Sequence, residues 1–151
     1  MDFEGKVKNI ESSKHIISQN SSKLVFKKAI SEILNQEDLN NKLLFAEIIK
    51  GDKILDTRII YFTKQKNLEL NDFSIETKIK VIPEAYEIIL KSNTLIKNLF
   101  IELPIKGKWS ENYFDLLPNI EKRITFRTED KIASIEDKIK YKSLNQILTK
   151  K

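Results

Sequence analysis

Pairs of acidic residues that lie close together are the first groups in this sequence that could perform chemistry. In glycoside hydrolysis, one carboxyl group acts as a general acid while a second acts as a nucleophile or a base. The candidate pairs are Glu84/Glu87, Glu111/Asp115, Glu129/Asp130 and Glu136/Asp137. Each pair falls in a predicted turn or on the polar face of a predicted strand, where solvated surface charge is expected. We therefore predict no catalytic residue in this chain.

Metal binding and nucleophilic catalysis have few candidate residues. His15 is the single histidine, and its neighbours at 12–16 supply no partner at the spacing of a metal site or a catalytic triad. The chain has no cysteine, which excludes disulfides, cysteine nucleophiles and thiolate zinc sites. It has three glycines and no EF-hand pattern, so phosphate-binding and calcium loops are also excluded. The sequence predicts a surface role for His15 and neither a metal ion nor a cofactor.

The segment 107–118 (GKWSENYFDLLP) carries the most distinctive group of aromatic and polar side chains. In one interpretation, Trp109 and Tyr113 are exposed and stack on sugar rings. In the other, the aromatic side chains fill the core at a corner of a β-sandwich, while the polar side chains bond nearby backbone groups. This second interpretation assigns structural roles to Ser110, Asn112, Phe114, Asp115, Leu116, Leu117 and Pro118. The exposure of the rings of Trp109 and Tyr113 distinguishes the two.

The composition is that of a folded globular chain without features of a membrane protein. The 151 residues are 40% hydrophobic and 32% charged, which is typical of ordinary domains. No apolar run approaches the ~20 residues of a membrane-spanning helix, and no signal peptide is visible at the N-terminus. The net charge of +5 comes mainly from lysines that are spread along the sequence. We predict neither membrane insertion nor nucleic-acid binding, and the sequence indicates no particular compartment.

Alternation of apolar and polar residues at period two dominates the sequence and predicts half-buried β-strands. In the first half, the apolar runs 43–49 and 54–62 flank a tight turn and predict a hairpin. The apolar run 24–26 predicts a further strand, and residues 29–39 predict a short helix or an irregular connection. The predicted buried faces of the second half are Ile75, Thr77, Ile79 and Val81; Tyr86, Ile88 and Leu90; Leu95, Leu99, Ile101 and Leu103; Ile124 and Phe126; and Ile139 and Tyr141.

These strands predict an all-β chain. Several short strands separated by turn residues at regular intervals are typical of β-sandwiches. The length suffices for one ordinary domain or for two small sandwiches of immunoglobulin size. One set of predicted strands ends and another begins near residue 71, which is the expected boundary between the two halves.

Residues 109–118 (WSENYFDLLP) resemble the C-terminal domain of β-mannosidases of glycoside hydrolase family 2. In that family, an aromatic-Ser-acid/amide-Asn-aromatic-Phe-Asp-Leu-Leu-Pro-Gly stretch precedes a strand, as it precedes residues 122–126 here. Residues 2–7 and 61–70 resemble an internal strand start and the exit of the preceding family domain. Two positions depart from the family pattern, because Gln65 replaces the usual proline and Asn119 replaces the glycine.

The resemblance implies a non-catalytic accessory region of a larger enzyme. In the family, terminal β-linked mannose is hydrolysed with retention of configuration by two glutamates on a separate (β/α)₈ barrel. That barrel needs about 250 residues, so it is not contained in this chain and becomes its implied partner. Manno-oligosaccharide is the implied ligand if Trp109 and Tyr113 form a sugar platform. The remaining alternative is a free-standing interaction domain with no enzyme attached.

The resemblance also implies two tandem immunoglobulin-like β-sandwich domains, at residues 1–71 and 72–151, of which the first lacks its opening strands. A sandwich without these strands has an uncovered strand edge and an incompletely covered core. We therefore expect this half of the chain to be poorly stable or to self-associate.

Overall fold

The computed structural model describes residues 1–35, 38–130 and 134–148. By their internal contacts, the residues divide into two compact units. Unit 1 consists of residues 1–2 and 6–68, and unit 2 consists of residues 3–5 and 69–151. The domain boundary at residue 71 was predicted from the sequence, and it remains a prediction. Within the described residues, no helix is long and apolar enough to span a membrane.

Unit 1 is built on one antiparallel hairpin. Strand β1 (Leu43–Lys50) pairs with strand β2 (Lys53–Tyr61) from Leu43 opposite Tyr61 to Lys50 opposite Lys53. Gly51 lies in the connecting turn with a φ of 60°, a left-handed angle that glycine adopts without steric cost. The predicted hairpin is therefore confirmed, and it forms the one sheet among the described residues of this unit.

The rest of unit 1 contains little regular structure. Helix α1 (Ile30–Ile33) is a single turn within the segment predicted as a short helix, of which residues 36 and 37 lie outside the described residues. A 3₁₀ turn spans Gln65–Asn67. The strand predicted at residues 24–26 is wrong, because no described strand pairs with these residues and their side chains are exposed.

Unit 2 is a sandwich of two antiparallel sheets. Its strands are β3 (Ile75–Ile82), β4 (Ala85–Ser92), β5 (Ile96–Glu102), β6 (Lys108–Trp109), β7 (Phe114–Leu116), β8 (Lys122–Arg127) and β9 (Lys140–Lys142). One sheet has the order β3-β4-β8-β6 and the other has the order β7-β5-β9. A 3₁₀ turn (Ile135–Lys138) precedes β9, and a one-turn helix, α2 (Asn145–Leu148), follows it. This architecture confirms the all-β prediction.

The core of unit 2 contains most of the predicted apolar faces. The fully or nearly fully buried members come from strands of both sheets, as the alternation at period two requires. They include Tyr86, Ile88, Leu90, Leu99, Ile101, Leu103, Ile124 and Phe126. Val81 was predicted to join Ile79 on the buried face, but it is 80% exposed because it lies at the end of the β3–β4 hairpin, beyond the core.

Strand β5 departs from the predicted alternation. Ile96 was predicted to face away from Leu99, yet both side chains are completely buried. Asn98 has a φ of 53°, and the register against β7 shifts between Ile96 and Leu99. The shift means that β5 has one more residue than β7 between the two paired positions, which is a β-bulge. The bulge turns the strand so that both Ile96 and Leu99 reach the core.

Basic residues outnumber acidic residues on one surface of unit 2. The outer face of the four-stranded sheet consists of the positions that alternate with the core residues. Its basic residues are Lys78, Lys80, Lys91, Lys108, Arg123 and Arg127, and its acidic residues are Glu76 and Glu87. Lysines on an outer strand such as β3 oppose pairing with a further strand, so this charge protects the edge of unit 2.

Candidate functional site

The segment predicted as a sandwich corner runs from one sheet of unit 2 to the other. Strand β6 pairs with β8 in the four-stranded sheet, whereas β7 pairs with β5 in the three-stranded sheet. Only residues 110–113 separate β6 from β7. The backbone in this short connection must leave one ladder of hydrogen bonds and enter another, so side chains are needed to complete both ladders.

Ser110 and Asn112 each complete the hydrogen bonding of one strand residue. The Ser110 backbone N–H donates to the Thr125 carbonyl at 2.8 Å, and the Ser110 hydroxyl oxygen accepts from the Thr125 N–H at 2.9 Å. The Asn112 side chain accepts from the Ile101 N–H at 2.9 Å and donates to the Ile101 carbonyl at 2.8 Å. Thr125 belongs to β8 and Ile101 to β5, so these two side chains attach the corner to both sheets.

Asp115 holds the bulge of β5. Its Oδ1 accepts a hydrogen bond of 2.9 Å from the backbone N–H of Asn98. The Lys97 ammonium donates to the two carboxylate oxygens at 3.0 and 2.9 Å. The side chains of Lys97 and Asp115 are only 8% and 13% exposed, so each charge depends on the other for compensation.

Asn145 holds the same bulge from the start of helix α2. Its Oδ1 accepts from the Lys97 N–H, and its Nδ2 donates to the carbonyls of Leu95 and Asn71, each at 2.9 Å. Asn145 is 1% exposed. Sequence reasoning missed both Lys97 and Asn145, since neither belongs to a motif. The weak signal available for Lys97 was its place directly after Leu95 and Ile96, in a strand whose other polar residues are Asn98 and Glu102.

The aromatic residues of the corner occupy three different environments. Phe114 is buried in the core of unit 2. Trp109 is half-buried, and its ring packs on Phe126 of the four-stranded sheet at a centroid distance of 4.6 Å. Tyr113 is 68% exposed, and its ring stacks on Phe100 of the three-stranded sheet at 4.5 Å. The two proposed sugar-binding rings therefore rest on different sheets.

The apolar end of the corner fixes the following turn. Leu116, Leu117 and Pro118 are buried. Asn119 has a φ of 62°, and its N–H donates to the Ser92 carbonyl at 2.7 Å. Asparagine tolerates this left-handed angle better than most residues, which accounts for its presence where the resembling family has glycine.

Residues 3–5 are an integral part of unit 2. The Phe3 carbonyl accepts from the Leu95 N–H at 2.7 Å and from the Thr94 hydroxyl at 2.9 Å, and Phe3 is 1% exposed. The predicted first domain, 1–71, includes these residues, although their contacts lie in unit 2.

The four acidic pairs do not share a concave site in the described residues. Glu111 pairs with Lys122 at 2.6 Å, whereas Asp115 is bound to Lys97. Glu84 lies in the β3–β4 turn, and the other pairs lie on the surface of unit 2. His15 contacts the Ser13 hydroxyl at 2.8 Å on the surface of unit 1. No cluster of three or more potential metal ligands occurs in the described part of the chain.

An ion pair lies beside the exposed aromatic stack. The Lys142 ammonium lies 2.8 Å from the Glu102 carboxylate and 5.9 Å from the centre of the Phe100 ring. The hydrogen bond between the two charged groups lowers the pKa of Glu102 and raises the pKa of Lys142. The outer face of the three-stranded sheet thus combines two stacked rings with one donor and one acceptor of hydrogen bonds.

Comparison with known proteins agrees with this architecture. Residues 70–147 match the Ig-fold domain of mannosidases, and residues 1–67 match the mannosidase Ig/CBM-like domain. Among solved structures, the β-D-mannosidase of Dictyoglomus thermophilum has the same fold over 72% of this chain, with a TM-score of 0.63 and 21% sequence identity. The chain spans 13% of the length of that protein. No functionally curated protein matches the chain.

The match over residues 70–147 covers more than half of the chain, and the corner motif lies within it. The chain therefore belongs to the mannosidase Ig-fold domain family, the C-terminal immunoglobulin-like domains of glycoside hydrolase family 2 β-mannosidases.

Proposed function

We propose that the chain is a non-catalytic accessory region of a β-mannosidase-like glycoside hydrolase. The parent enzyme hydrolyses terminal β-D-mannose residues on a separate (β/α)₈ barrel, and residues 1–71 and 72–151 are domains that support this barrel. Membership of the mannosidase Ig-fold domain family carries the proposal.

The surroundings of the acidic residues support a role without catalysis. A retaining glycosidase needs two carboxyl groups about 5–5.5 Å apart across a bound sugar. In the candidate pair Glu111/Asp115, the Glu111 carboxylate instead pairs with Lys122, and the Asp115 carboxylate is bound to Lys97 and to the backbone N–H of Asn98. A concavity in unit 1 is lined by Tyr61, Phe62, Thr63, Lys64, Lys66 and Asn67, none of which is acidic.

The bonding of the corner supports a scaffolding role. The side chains of Ser110, Asn112 and Asp115 are used by backbone groups of the same unit. Groups that are already bonded in this way stabilise strand positions and are poorly suited to act on a substrate. A rigid sandwich is what a neighbouring catalytic domain requires as support.

The absence of catalysis is tested by assaying the purified chain on an aryl β-mannoside. The Dictyoglomus thermophilum enzyme serves as the positive control. We expect no release of the aryl group by the chain. Turnover that survives repurification, and that is lost when one residue of an acidic pair is changed to its amide, would overturn the proposal.

The supporting role is tested at the level of the family. Deleting the equivalent immunoglobulin-like domains from the Dictyoglomus thermophilum enzyme should lower both its melting temperature and its activity. An enzyme unchanged by this deletion would contradict the supporting role.

Of the two rings in the sugar-platform alternative, the exposure favours Tyr113 and not Trp109. Trp109 packs on Phe126, whereas Tyr113 presents most of its surface to solvent. The free-standing interaction domain is a separate alternative, and it is distinguished by whether a barrel is encoded in the same reading frame.

A further inference from the structure

We propose that Tyr113 and Phe100, together with the Lys142–Glu102 ion pair, form a binding site for one pyranose ring of a neutral β-linked mannan chain. This inference rests on the proposed function, which supplies the class of sugar. We refer to these four residues as the Tyr113 platform.

The alternation of strand β5 places the Phe100 ring on the outer face of the three-stranded sheet. Leu99 and Ile101 are fully buried, and Phe100 alternates with them on the outer face of strand β5. Phe100 is itself half-buried because the Tyr113 ring covers it, with an angle of 24° between the ring planes. One face of Tyr113 therefore contacts Phe100, and the 68% exposure of this residue leaves the other face open.

The backbone keeps Tyr113 in this position. Its φ of 61° is unusual for a bulky residue and persists only where the surroundings hold it. Asn112 Oδ1 accepts a hydrogen bond of 3.0 Å from the Tyr113 N–H, while the same side chain is bonded to both backbone groups of Ile101. The exposed ring is thus fixed to strand β5 before any ligand arrives, which reduces the entropy lost on binding.

The chemistry of the platform matches that of a sugar ring. A β-mannopyranose unit has axial hydrogens at C1, C3 and C5 on one face, and this apolar face can lie on an aromatic ring. Its hydroxyl groups project from the rim, where the Glu102 carboxylate can accept and the Lys142 ammonium can donate hydrogen bonds. The ion pair carries no net charge, so a neutral ligand fits better than an anionic one.

Other exposed aromatic residues lack this combination. Trp109 is half-buried against Phe126. Phe26 is 51% exposed with the Lys28 ammonium 5.7 Å from its ring centre, but its ring stacks on no other ring among the described residues. Phe26 therefore provides a matched control, because it has an exposed ring and a nearby lysine in unit 1.

The experiment is a titration of the full chain with β-1,4-mannohexaose, followed by two-dimensional NMR. We expect saturable shifts confined to the backbone around Phe100, Tyr113 and Lys142, with a dissociation constant on the order of 1 mM for a single stacking site. Tyr113→Ala should weaken binding about tenfold or more. Phe26→Ala should leave binding unchanged.

A second variant distinguishes the loss of the Tyr113 ring from misfolding of the chain. Tyr113→Gly removes the ring and also relaxes the positive φ, so it keeps the fold and should lose binding equally. The proposal is overturned if the wild-type chain shows no saturable shifts, or if Tyr113→Gly binds as well as wild type. Either result would leave the accessory function intact, since that function is tested by hydrolysis and domain deletion.

Discussion

The carboxylate of Asp115 accepts a hydrogen bond from the backbone N–H of Asn98 at 2.9 Å, at the position where strand β5 is bulged. The same carboxylate neutralises Lys97, whose side chain is 8% exposed. Because the bulge brings Ile96 and Leu99 into the core together, this single side chain connects the family motif to the packing of unit 2.

Asp115→Ala should strongly destabilise unit 2. The substitution leaves the buried Lys97 ammonium without its carboxylate and removes the acceptor of the Asn98 N–H. Breaking one partner of a buried ion pair typically costs about 3–5 kcal/mol. Urea denaturation should show a lower midpoint. Glu111→Ala, which removes an exposed partner of Lys122, is the control and should cost about 1 kcal/mol or less. Equal losses in the two variants would contradict a structural role for Asp115.

Asn112→Ala should destabilise unit 2 more than Ser110→Ala does. The first change leaves the N–H and the carbonyl of the fully buried Ile101 without their side-chain partner, at a cost of about 2–3 kcal/mol. The second change removes one acceptor at an exposed position, at a cost of about 1 kcal/mol. Thermal unfolding of both variants measures the order, and a reversed order would show that the Ile101 bonds are dispensable.

The alternation of the strands could be predicted from sequence, but the bulge could not. In β4 and β8 the pairing register continues without a shift, and Tyr86, Ile88, Ile124 and Phe126 are buried as expected, although Ile89 on the opposite face of β4 is also buried. In β5 the same rule fails at Asn98, since a local positive φ changes which residues share a face. Asparagine tolerates such an angle, but its presence alone does not predict it.

The polar side chains of the motif were recognisable, whereas their partners were not. Ser110, Asn112 and Asp115 bond backbone groups, as the structural interpretation expected. Their partners on β5 and β8 are 11 to 17 residues away and become neighbours only in the folded sandwich. The same reason explains why Lys97 and Asn145 were missed.

Tyr141 should make unit 2 sensitive to alkaline pH. Burial raises the pKa of its phenol above the usual 10.0, although the hydrogen bond of 2.7 Å with Thr77 opposes this shift. A group whose folded pKa is raised contributes stability that is fully present below its unfolded pKa and is lost as pH rises through the folded pKa. The contribution should therefore decline from about pH 10 upward.

The variant Tyr141→Phe isolates this contribution. At neutral pH it should lose about 1 kcal/mol with the Thr77 hydrogen bond, but its stability should fall less steeply above about pH 10. Lys142 has a raised pKa and titrates in the same range, but it is present in both chains and cancels in the comparison. Thr77→Val keeps the buried phenol and should retain the steep alkaline loss. Urea midpoints across this pH range would refute the prediction if wild type and Tyr141→Phe declined in parallel.

The hairpin of unit 1 should mediate self-association. Ile48 and Ile60 are 60% and 49% exposed, and their pairing opposite Asp56 and Leu44 places them on one face. The sheet has only two strands among the described residues. Beyond Leu43, whose N–H and carbonyl bond Met1, its outer edges carry backbone groups that another chain can pair with.

Charge on this face should prevent the association. The double variant Ile48→Lys/Ile60→Lys adds mutual repulsion between copies and removes exposed apolar surface. Sedimentation velocity over a range of concentrations should show wild type shifting to larger species while the double variant stays monomeric. Val81→Lys, at an isolated exposed position of unit 2, should behave as wild type. A wild-type chain that is monomeric at every concentration would show that the exposed hairpin does not recruit a second copy.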